Sequence, residues 1–222
     1  MAKVIAVTEA IKNLAEVESR FGLSRSVEPT FFPEWQSDLS SLTSAQQSAV
    51  SVLWNRLNYQ RSSVGRASPT QGELLEGAVT LLAASPLLEI AGFYDPPFRL
   101  KAEAAVEISI DDGEETLRGR IDILIVQQNL WILVLESKKT TLSARSALPQ
   151  ALAYLMAAPA SDAPLFGLLT NGDDVVFIKV NRDMPRKYAL SRVFSLYAVP
   201  EDTGEAIRVL QRLGQKVLAH ER

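Results

Sequence analysis

The fold is decided by residues 119–139, which read GRIDILIVQQNLWILVLESKK. This stretch predicts two apolar strands joined by a short polar turn. The first strand contains Asp122 within its apolar run, and the second ends in Glu136 and Lys138. A charged group in a buried strand costs several kcal/mol unless it is paired or binds a metal. We therefore expect these three charges to form a site.

The register of this hairpin decides whether the two carboxylates can meet. Side chains alternate faces along a strand, and residues opposite each other in an antiparallel pair share a face. A two-residue turn at 128–129 would put Asp122 opposite Leu135 and leave Glu136 on the other face. A three-residue connection or a β-bulge would put Asp122 opposite Glu136. We therefore predict an odd-length connection or a bulge in this hairpin.

The segments on either side predict an α/β domain with the element order α-β-β-β-α-β. These elements are a helix from Thr70 that breaks near Ser85-Pro86, strands over 98–110, 117–126 and 131–138, a helix over 143–158 and a strand over 165–170. The last strand is almost wholly apolar, as expected in a sheet that is covered on both faces.

Three regions are predicted along the chain. Residues 1–69 form a helical N-terminal extension, because apolar residues recur at helical spacing around Leu14 and again from Val50 to Leu57, before a loop over 58–69. Residues 70–200 form the core. Residues 201–222 form a C-terminal helix that packs on the core through the apolar residues Ile207, Leu210, Leu213 and Val217.

The composition of the 222 residues excludes several kinds of chemistry. The chain contains no cysteine, which excludes disulfides and thiolate metal sites, and its single histidine is His220. Catalysis must therefore use carboxylates and lysine. The apolar fraction of 47% is that of a globular protein, and no apolar run has the ~20 residues of a membrane span. We expect a cytoplasmic protein without a membrane partner, and the net charge of −3 argues against a nonspecific nucleic-acid coat.

The pattern Asp122, then Glu136-x-Lys138, resembles the PD-(D/E)xK nuclease superfamily, with Ile121 where the superfamily has proline. Gln150-x-x-x-Tyr154 looks like the signature that follows this motif in the nuclease domains of type I restriction enzyme R subunits. Residues 166–172, FGLLTNG, and the apolar strand after them also look like that group. The resemblance covers roughly residues 70 to 182.

This resemblance implies a restriction endonuclease-like core, which is a mixed central sheet with helices on both faces, carrying a helical N-terminal extension. It also implies a metal-dependent DNA endonuclease. Asp122, Glu136 and the backbone carbonyl of Ser137 would bind Mg²⁺ or Mn²⁺, which prefer such oxygen ligands. Lys138 would stabilise the charge that develops on the phosphate.

Five further residues are candidates for the site. By resemblance, Glu76 is expected to add an acidic group near the metal, with Glu73 as the alternative and a solvent-facing role as the simpler one. Gln150 and Tyr154 would contact the DNA backbone near the cut or support Lys138. Two further basic residues, Lys139 and Arg145, lie in a segment without acidic residues and would contact phosphates, although they could equally form a solvated face.

Several alternatives stay open at this point. The charges could form a structural ion pair between Glu136 and either Lys138 or Arg120. The chain could be a DNA-associated regulatory or assembly factor that keeps the nuclease fold, or a toxin-like or repair nuclease. The chain has no Gly-x-x-x-x-Gly-Lys-Ser/Thr loop, so we do not expect a complete type I motor subunit. DNA is the expected partner, in a homodimer or a larger restriction or recombination assembly.

Overall fold

A computed structural model of the chain describes residues 3–37, 39–63, 74–110, 115–127, 130–137, 139, 142–159 and 163–219. Side chains are described in these ranges except at residues 3, 63, 109, 110, 127 and 130–137.

The described strands form one nine-stranded mixed sheet. In chain order they are β1 (Lys3–Ala6), β2 (Ser24–Arg25), β3 (Arg99–Ile110), β4 (Glu115–Gln127), β5 (Leu130–Ser137), β6 (Leu165–Thr170), β7 (Asp174–Asn181), β8 (Lys187–Leu190) and β9 (Phe194–Ser195). Their order in the sheet is β1-β4-β5-β6-β7-β8-β2, with β3 also paired to β4 and β9 to β7. Strands β5 and β6 are parallel, whereas β3, β4 and β5 form an antiparallel meander.

Helices cover both faces of this sheet. They are α1 (Val7–Ala10), α2 (Leu14–Phe21), α3 (Ser44–Ser63), α4 (Glu76–Val79), α5 (Ser85–Ala91), α6 (Leu148–Met156) and α7 (Pro200–Ala219). Buried residues of α2 and α6 belong to the apolar core on one face, and those of α3, α5 and α7 to the core on the other. None of the described helices is both long and apolar enough to cross a bilayer.

The predicted order of elements is confirmed. A helical segment over 76–91 precedes the meander, and α6 connects β5 to the parallel strand β6. Every residue of β6 is buried, because helices cover it on both sides. Pro149 lies in the first turn of α6, where its missing N–H has no helical partner to lose.

The N-terminal region differs from the prediction. Residues 1–69 were expected to be helical, but β1 pairs in parallel with β4 and β2 pairs in parallel with β8. Such short strands carry too little periodicity to be recognised from sequence. The helix predicted to end before residue 58 continues to Ser63, because its last turn packs against the body of the protein through Arg61.

The predicted break near Ser85-Pro86 is wrong. A π-helical segment, Thr80–Ala84, joins α4 to α5, and Ala84 and Ser85 keep helical dihedral angles. Proline normally ends a helix because it lacks an N–H and its ring meets a carbonyl one turn back. Here Pro86 lies in the first turn of α5, directly after the wider π turn, and the chain continues as a helix. Thr70 and Glu73, the predicted start of this helix, lie outside the described residues.

Asp202, at the start of α7, makes hydrogen bonds whose contribution to stability depends on pH. Its carboxylate accepts hydrogen bonds from the Arg192 guanidinium at 2.7 and 3.1 Å and from the backbone N–H of Ser195 at 2.7 Å. Burial alone would raise the pKa of Asp202, but these hydrogen bonds outweigh burial and lower it. An acid with a lowered pKa in the folded state adds stability above its unfolded pKa of ~3.9. That stability is lost as the pH falls through the folded pKa.

We therefore expect Asp202→Asn to lower the free energy of unfolding by about 1–2 kcal/mol at pH 7. The difference from the wild type should disappear in acid, where Asp202 of the wild type is also neutral. Urea denaturation at pH 7 and at a series of lower pH values measures this difference. Glu201→Gln removes the same charge from an exposed neighbour in the same helical turn and serves as the control. A difference that does not shrink as the pH falls, down to the most acidic pH at which both proteins fold, would contradict this account.

Candidate active site

The hairpin of β4 and β5 contains the predicted bulge. Val126 pairs with Trp131, but Ile125 pairs with Leu133, so Ile132 is an extra residue in β5. Ladder pairing continues to Ile123 and Leu135. Continued by one step, this register would put Asp122 across from Glu136, although the ladder itself ends at Ile123 and Leu135. Without the bulge, Asp122 would be opposite Leu135, because one residue of shift moves a side chain to the other face.

At Asp122, the alternation of side chains along β4 is interrupted, so that neighbouring odd-numbered residues point to opposite faces of the sheet. The same interruption occurs at the adjacent position of β3. In β4, Ile121 and Leu124 belong to the core beneath α6, whereas Ile123 belongs to the core beneath α7. Regular alternation would put Ile121 and Ile123 on the same face. The change occurs at Asp122, which is half-buried.

The residue across from Asp122 in β3 has an unusual backbone. Ala102 pairs with Ile123 and Ala104 with Ile121, and between them Glu103 has a φ of 49°. A left-handed conformation costs a residue with a side chain about 1–2 kcal/mol. This conformation lets the side chains of β3 switch to the opposite face of the sheet while the pairing register with β4 stays the same. Backbone strain of this kind clusters at functional sites.

The side chain of Tyr154 occupies a gap in the sheet beside Asp122. On one edge of β4, Arg118 is the last residue paired with β1 and Ile123 is the first paired with β5. Among the strands described, none pairs with residues 119–122 on that edge. Tyr154 fills this position, since its hydroxyl oxygen accepts a hydrogen bond from the backbone N–H of Arg120 at 3.2 Å. Gln150 Nε2 donates to the same oxygen at 2.9 Å.

Gly119 allows the Tyr154 ring to reach β4. A Cβ atom at residue 119 would lie 2.5 Å from Tyr154 Cε1 and 2.7 Å from its hydroxyl oxygen. These distances are shorter than van der Waals contact, so only glycine fits beneath the ring. Tyr154 is 1% exposed. Direct contact with DNA, one of the two roles expected for Tyr154, does not fit this burial, whereas support of the strand that carries Asp122 does.

The end of β5 lies against a polar turn that follows β6. Glu136 pairs with Leu169 and Ser137 with Thr170. Beyond Thr170, the side chain of Asn171 accepts hydrogen bonds from two backbone N–H groups of the turn. Asn171 Nδ2 donates to the carbonyl of Leu142 at 2.7 Å. This turn therefore holds the segment that follows Lys138 in sequence.

The remaining predicted residues belong to different elements or lie outside the described part. Lys138 is outside the described residues. Lys139 is half-buried, and Arg145 is exposed in the 3₁₀ segment Ala144–Ala147. Glu76 is exposed in the first turn of α4, where a negative charge is favourable near the helix N-terminus. A role for Glu76 at a metal stays a prediction.

Arg120 binds Glu103, with 3.0 Å between Nη1 and Oε2. The alternative pair of Arg120 with Glu136 stays a prediction, because the side chain of Glu136 lies outside the described ones. Arg118 makes a similar pair with Glu107 at 2.8 Å. All four side chains are mostly exposed, so each pair contributes little to stability. A cleft of about 460 Å³ opens beside this strand, and Gln150 lines it. Gln150 is only partly buried, whereas Tyr154, which also lines this cleft, is buried.

The predicted ligands of this site are of a kind that suits a hard divalent cation. Asp122, Glu136 and the carbonyl of Ser137 would supply oxygen ligands, which Mg²⁺ and Mn²⁺ prefer, and the side chain of Glu136 lies outside the described ones. Among the side chains that the structure describes, no group of three or more His, Cys, Asp or Glu residues could hold a metal. A site at Asp122 would therefore depend on Glu136 and on backbone or substrate oxygens.

Tyr154→Phe tests the support that this side chain gives to β4. The substitution leaves the buried N–H of Arg120 and the amide of Gln150 without their acceptor, and an unsatisfied buried donor costs about 1–3 kcal/mol. We expect urea denaturation to show a loss of that size, together with slower cleavage of DNA. Tyr188→Phe is the matched control, because Tyr188 is also buried and its hydroxyl donates to Glu18 at 2.7 Å. The control should lose stability but keep its cleavage rate.

Comparison with known families agrees with the resemblance to type I restriction enzyme R subunits. The family model described as Type I restriction enzyme R protein N terminus matches residues 37–186, which include α3 and the whole meander. The chain belongs to this family. No curated protein sequence matches it. Among solved structures, it is similar to a fragment of a protein assigned as the HsdR subunit of a type I restriction enzyme from Vibrio vulnificus YJ016, with 19% identity and a TM-score of 0.41. That match covers 67% of this chain and 26% of the other chain.

Proposed function

We propose that this chain is a metal-dependent DNA endonuclease with a restriction endonuclease-like core of the PD-(D/E)xK type. The observation that supports the proposal is the bulged register of β4 and β5, which pairs Ile123 with Leu135 and, continued by one step, would put Asp122 across from Glu136. Membership of the type I R-protein N-terminal family supports a role in restriction.

Each residue of the proposed site has a separate role. Asp122, Glu136 and the carbonyl of Ser137 would hold Mg²⁺ or Mn²⁺. A divalent ion supplies positive charge against the scissile phosphate and activates water for attack. Lys138 would stabilise the negative charge that develops on the phosphate in the transition state.

Other residues would position the DNA and the strand that carries Asp122. The exposed side chain of Arg145 and the half-buried Lys139 supply positive charge near the end of β5. Gln150 lines the cleft beside β4 and is accessible to a substrate backbone. Tyr154 is buried and would act through the backbone of Arg120.

Cleavage of three forms of DNA tests the proposal. Purified protein is incubated with supercoiled, linear and single-stranded DNA in Mg²⁺ or Mn²⁺, and a parallel reaction contains EDTA. The proposal predicts conversion of supercoiled plasmid to nicked and linear forms, and no conversion in EDTA. Comparison of the three DNA forms separates endonucleolytic from end-dependent cleavage.

A second function would give a different result in the same assay. A DNA-associated assembly factor that keeps this fold would bind DNA without cutting it. The net charge of −3 provides no general attraction to phosphate, which fits a factor that reaches DNA as part of an assembly. Metal-independent binding without nicking of any DNA form would favour the assembly factor over the nuclease.

A further inference from the structure

A buried ion pair lies at the edge of the core beneath α7. In β7, Val175 and Phe177 belong to that core, and regular alternation puts Lys179 at the next position on the same face. Lys179 Nζ lies 2.7 Å from Glu34 Oε1, and the two side chains are only 15% and 6% exposed. A buried ion pair is often no more stabilising than apolar residues of similar volume. Stability alone therefore does not explain two charges at this position.

Both members of this pair line a cleft of about 390 Å³. Lys216 of α7 lines it too, so the charged groups among its described lining residues are two cations and one carboxylate. The wall also contains the side chain of Asn181 and the half-buried ring of Phe31, whose centroid is 5.8 Å from Lys179 Nζ. The volume is within the range of small-ligand sites, and the excess of positive charge favours an anion.

The carboxylate of Glu34 can accept a further hydrogen bond. Glu34 belongs to the 3₁₀ turn Pro33–Trp35, and its Oε1 accepts from Lys179. Its Oε2 is closed off from solvent, and no group in the described part of the chain donates a hydrogen bond to it. A buried acceptor without a donor is unfavourable, and a donor on a ligand would satisfy it. Because the terminal torsion of a glutamate is broad, the carboxylate can turn this oxygen towards the cleft.

The cleft is separate from the candidate active site. Thr170, which pairs with Ser137 at the end of β5, is opposite Val175 in β7. Lys179 lies further along β7, opposite Phe166, at a distance of roughly 13 Å for a rise of about 3.3 Å per residue. Binding in this cleft therefore does not depend on the proposed nuclease function.

We propose that this cleft binds a phosphate group that keeps one proton, as free phosphate or as a phosphate monoester. Lys179, Lys216 and the amide of Asn181 donate hydrogen bonds to its ionised oxygens. Its remaining O–H donates to Glu34 Oε2, and the ring of Phe31 contacts the organic part of an ester. A fully ionised anion has no proton to donate and would set its own charge against the carboxylate. The cleft therefore selects phosphate over sulfate.

Isothermal titration calorimetry of the full chain tests this selection. Inorganic phosphate, ribose 5-phosphate and sulfate are titrated separately at equal ionic strength and at about pH 6, where a phosphate monoester keeps its proton on a large fraction of molecules. Phosphate should bind at least about 10-fold more tightly than sulfate, which is the effect of one hydrogen bond to a charged group. In Glu34→Gln the side-chain amide can donate to sulfate, so sulfate should bind as tightly as phosphate. A gain of sulfate affinity cannot result from loss of the fold.

Lys216→Gln should weaken the binding of phosphate by about 10-fold, because it removes one cation and leaves the pair of Glu34 with Lys179 intact. Lys101→Gln is the matched control, since Lys101 is exposed on β3, four strands away from β7. This control should bind phosphate as the wild type does.

Three results would overturn the proposal: no saturable binding of either phosphate compound, equal affinities for phosphate and sulfate in the wild type, or unchanged phosphate affinity in Lys216→Gln. A preference for phosphate that persists in Glu34→Gln would also overturn it. Tighter binding of ribose 5-phosphate than of inorganic phosphate would identify an ester as the ligand, and the reverse order would identify free phosphate. No DNA is cleaved in these titrations, so their outcome is distinct from that of the nicking assay.

Discussion

Asp122→Asn is expected to reduce the rate of metal-dependent nicking by about 10³-fold or more. The substitution replaces an anionic oxygen by a neutral amide one residue before the end of the β4–β5 ladder, which pairs Ile123 with Leu135. A divalent cation would lose one of its two carboxylate ligands. Asparagine has nearly the same shape as aspartate, so the change of face at this residue should persist.

Single-turnover nicking at several Mn²⁺ concentrations measures this effect. The DNA dissociation constant in the absence of metal, measured by fluorescence anisotropy, should change little. Glu107→Gln removes the same charge from the adjacent strand β3, where the side chain is 61% exposed and pairs with Arg118. This control should nick at the wild-type rate. Equal rates for Asp122→Asn and the wild type would exclude Asp122 from the reaction.

Gly119→Ala is expected to lower the free energy of unfolding by about 1–3 kcal/mol. The new methyl group would lie 2.5 Å from the ring of Tyr154, which cannot move without breaking its bond to the N–H of Arg120. Urea denaturation measures the loss. Nicking should also slow, because residue 119 lies three positions before Asp122 in the same strand.

Two comparisons make the cause of that loss specific. Gly77→Ala introduces the same methyl group into α4, where no described atom beyond the helix's own backbone and the chain neighbours lies within 4 Å, and alanine favours helix. This control should be neutral or stabilising. In the double variant Gly119→Ala with Tyr154→Ala, the ring is absent, so the new methyl should cost little beyond Tyr154→Ala alone. Additive losses in the double variant would show that the Tyr154 ring is not the obstacle.

Much of the fold could be predicted from the sequence because its strongest patterns are local. The meander, the apolar strand at 165–170 and the C-terminal helix follow from runs of apolar residues with clear periods. The bulge could also be predicted, because only a shifted register lets Asp122 and Glu136 share a face. Charges inside apolar strands constrain pairing in a way that uncharged residues do not.

The environment of Asp122 could not be predicted in the same way. The sequence of β4 alternates smoothly through residue 122, and the change of face depends on the left-handed backbone of Glu103 in the neighbouring strand. Tyr154 was expected beside the site on the evidence of its motif. Its burial depends on Gly119, which lies 35 positions earlier in the chain. Nothing in the sequence around Gly119 indicates that the ring packs against it.

Ion pairs between residues far apart in the chain also could not be predicted from the sequence. Arg61 and Asp173 are separated by 112 positions, and nothing in the residues around either one indicates the other. Arg61 belongs to a segment whose sequence suggested a loop, while Asp173 follows a turn that was recognised only from Asn171-Gly172. The helical break predicted at Pro86 failed for a similar reason, since a π-helical turn is set by packing and not by local propensity.

Nicking of supercoiled plasmid by the wild type and by Lys138→Ala, purified side by side, tests the central claim most directly. Lys138 is the one cationic member of the proposed site, and a contaminating nuclease would be equally present in both preparations. The account predicts Mg²⁺- or Mn²⁺-dependent nicking by the wild type and at least a 10²-fold slower reaction by Lys138→Ala. Equal nicking by the two proteins, or none by the wild type with either metal, would contradict it.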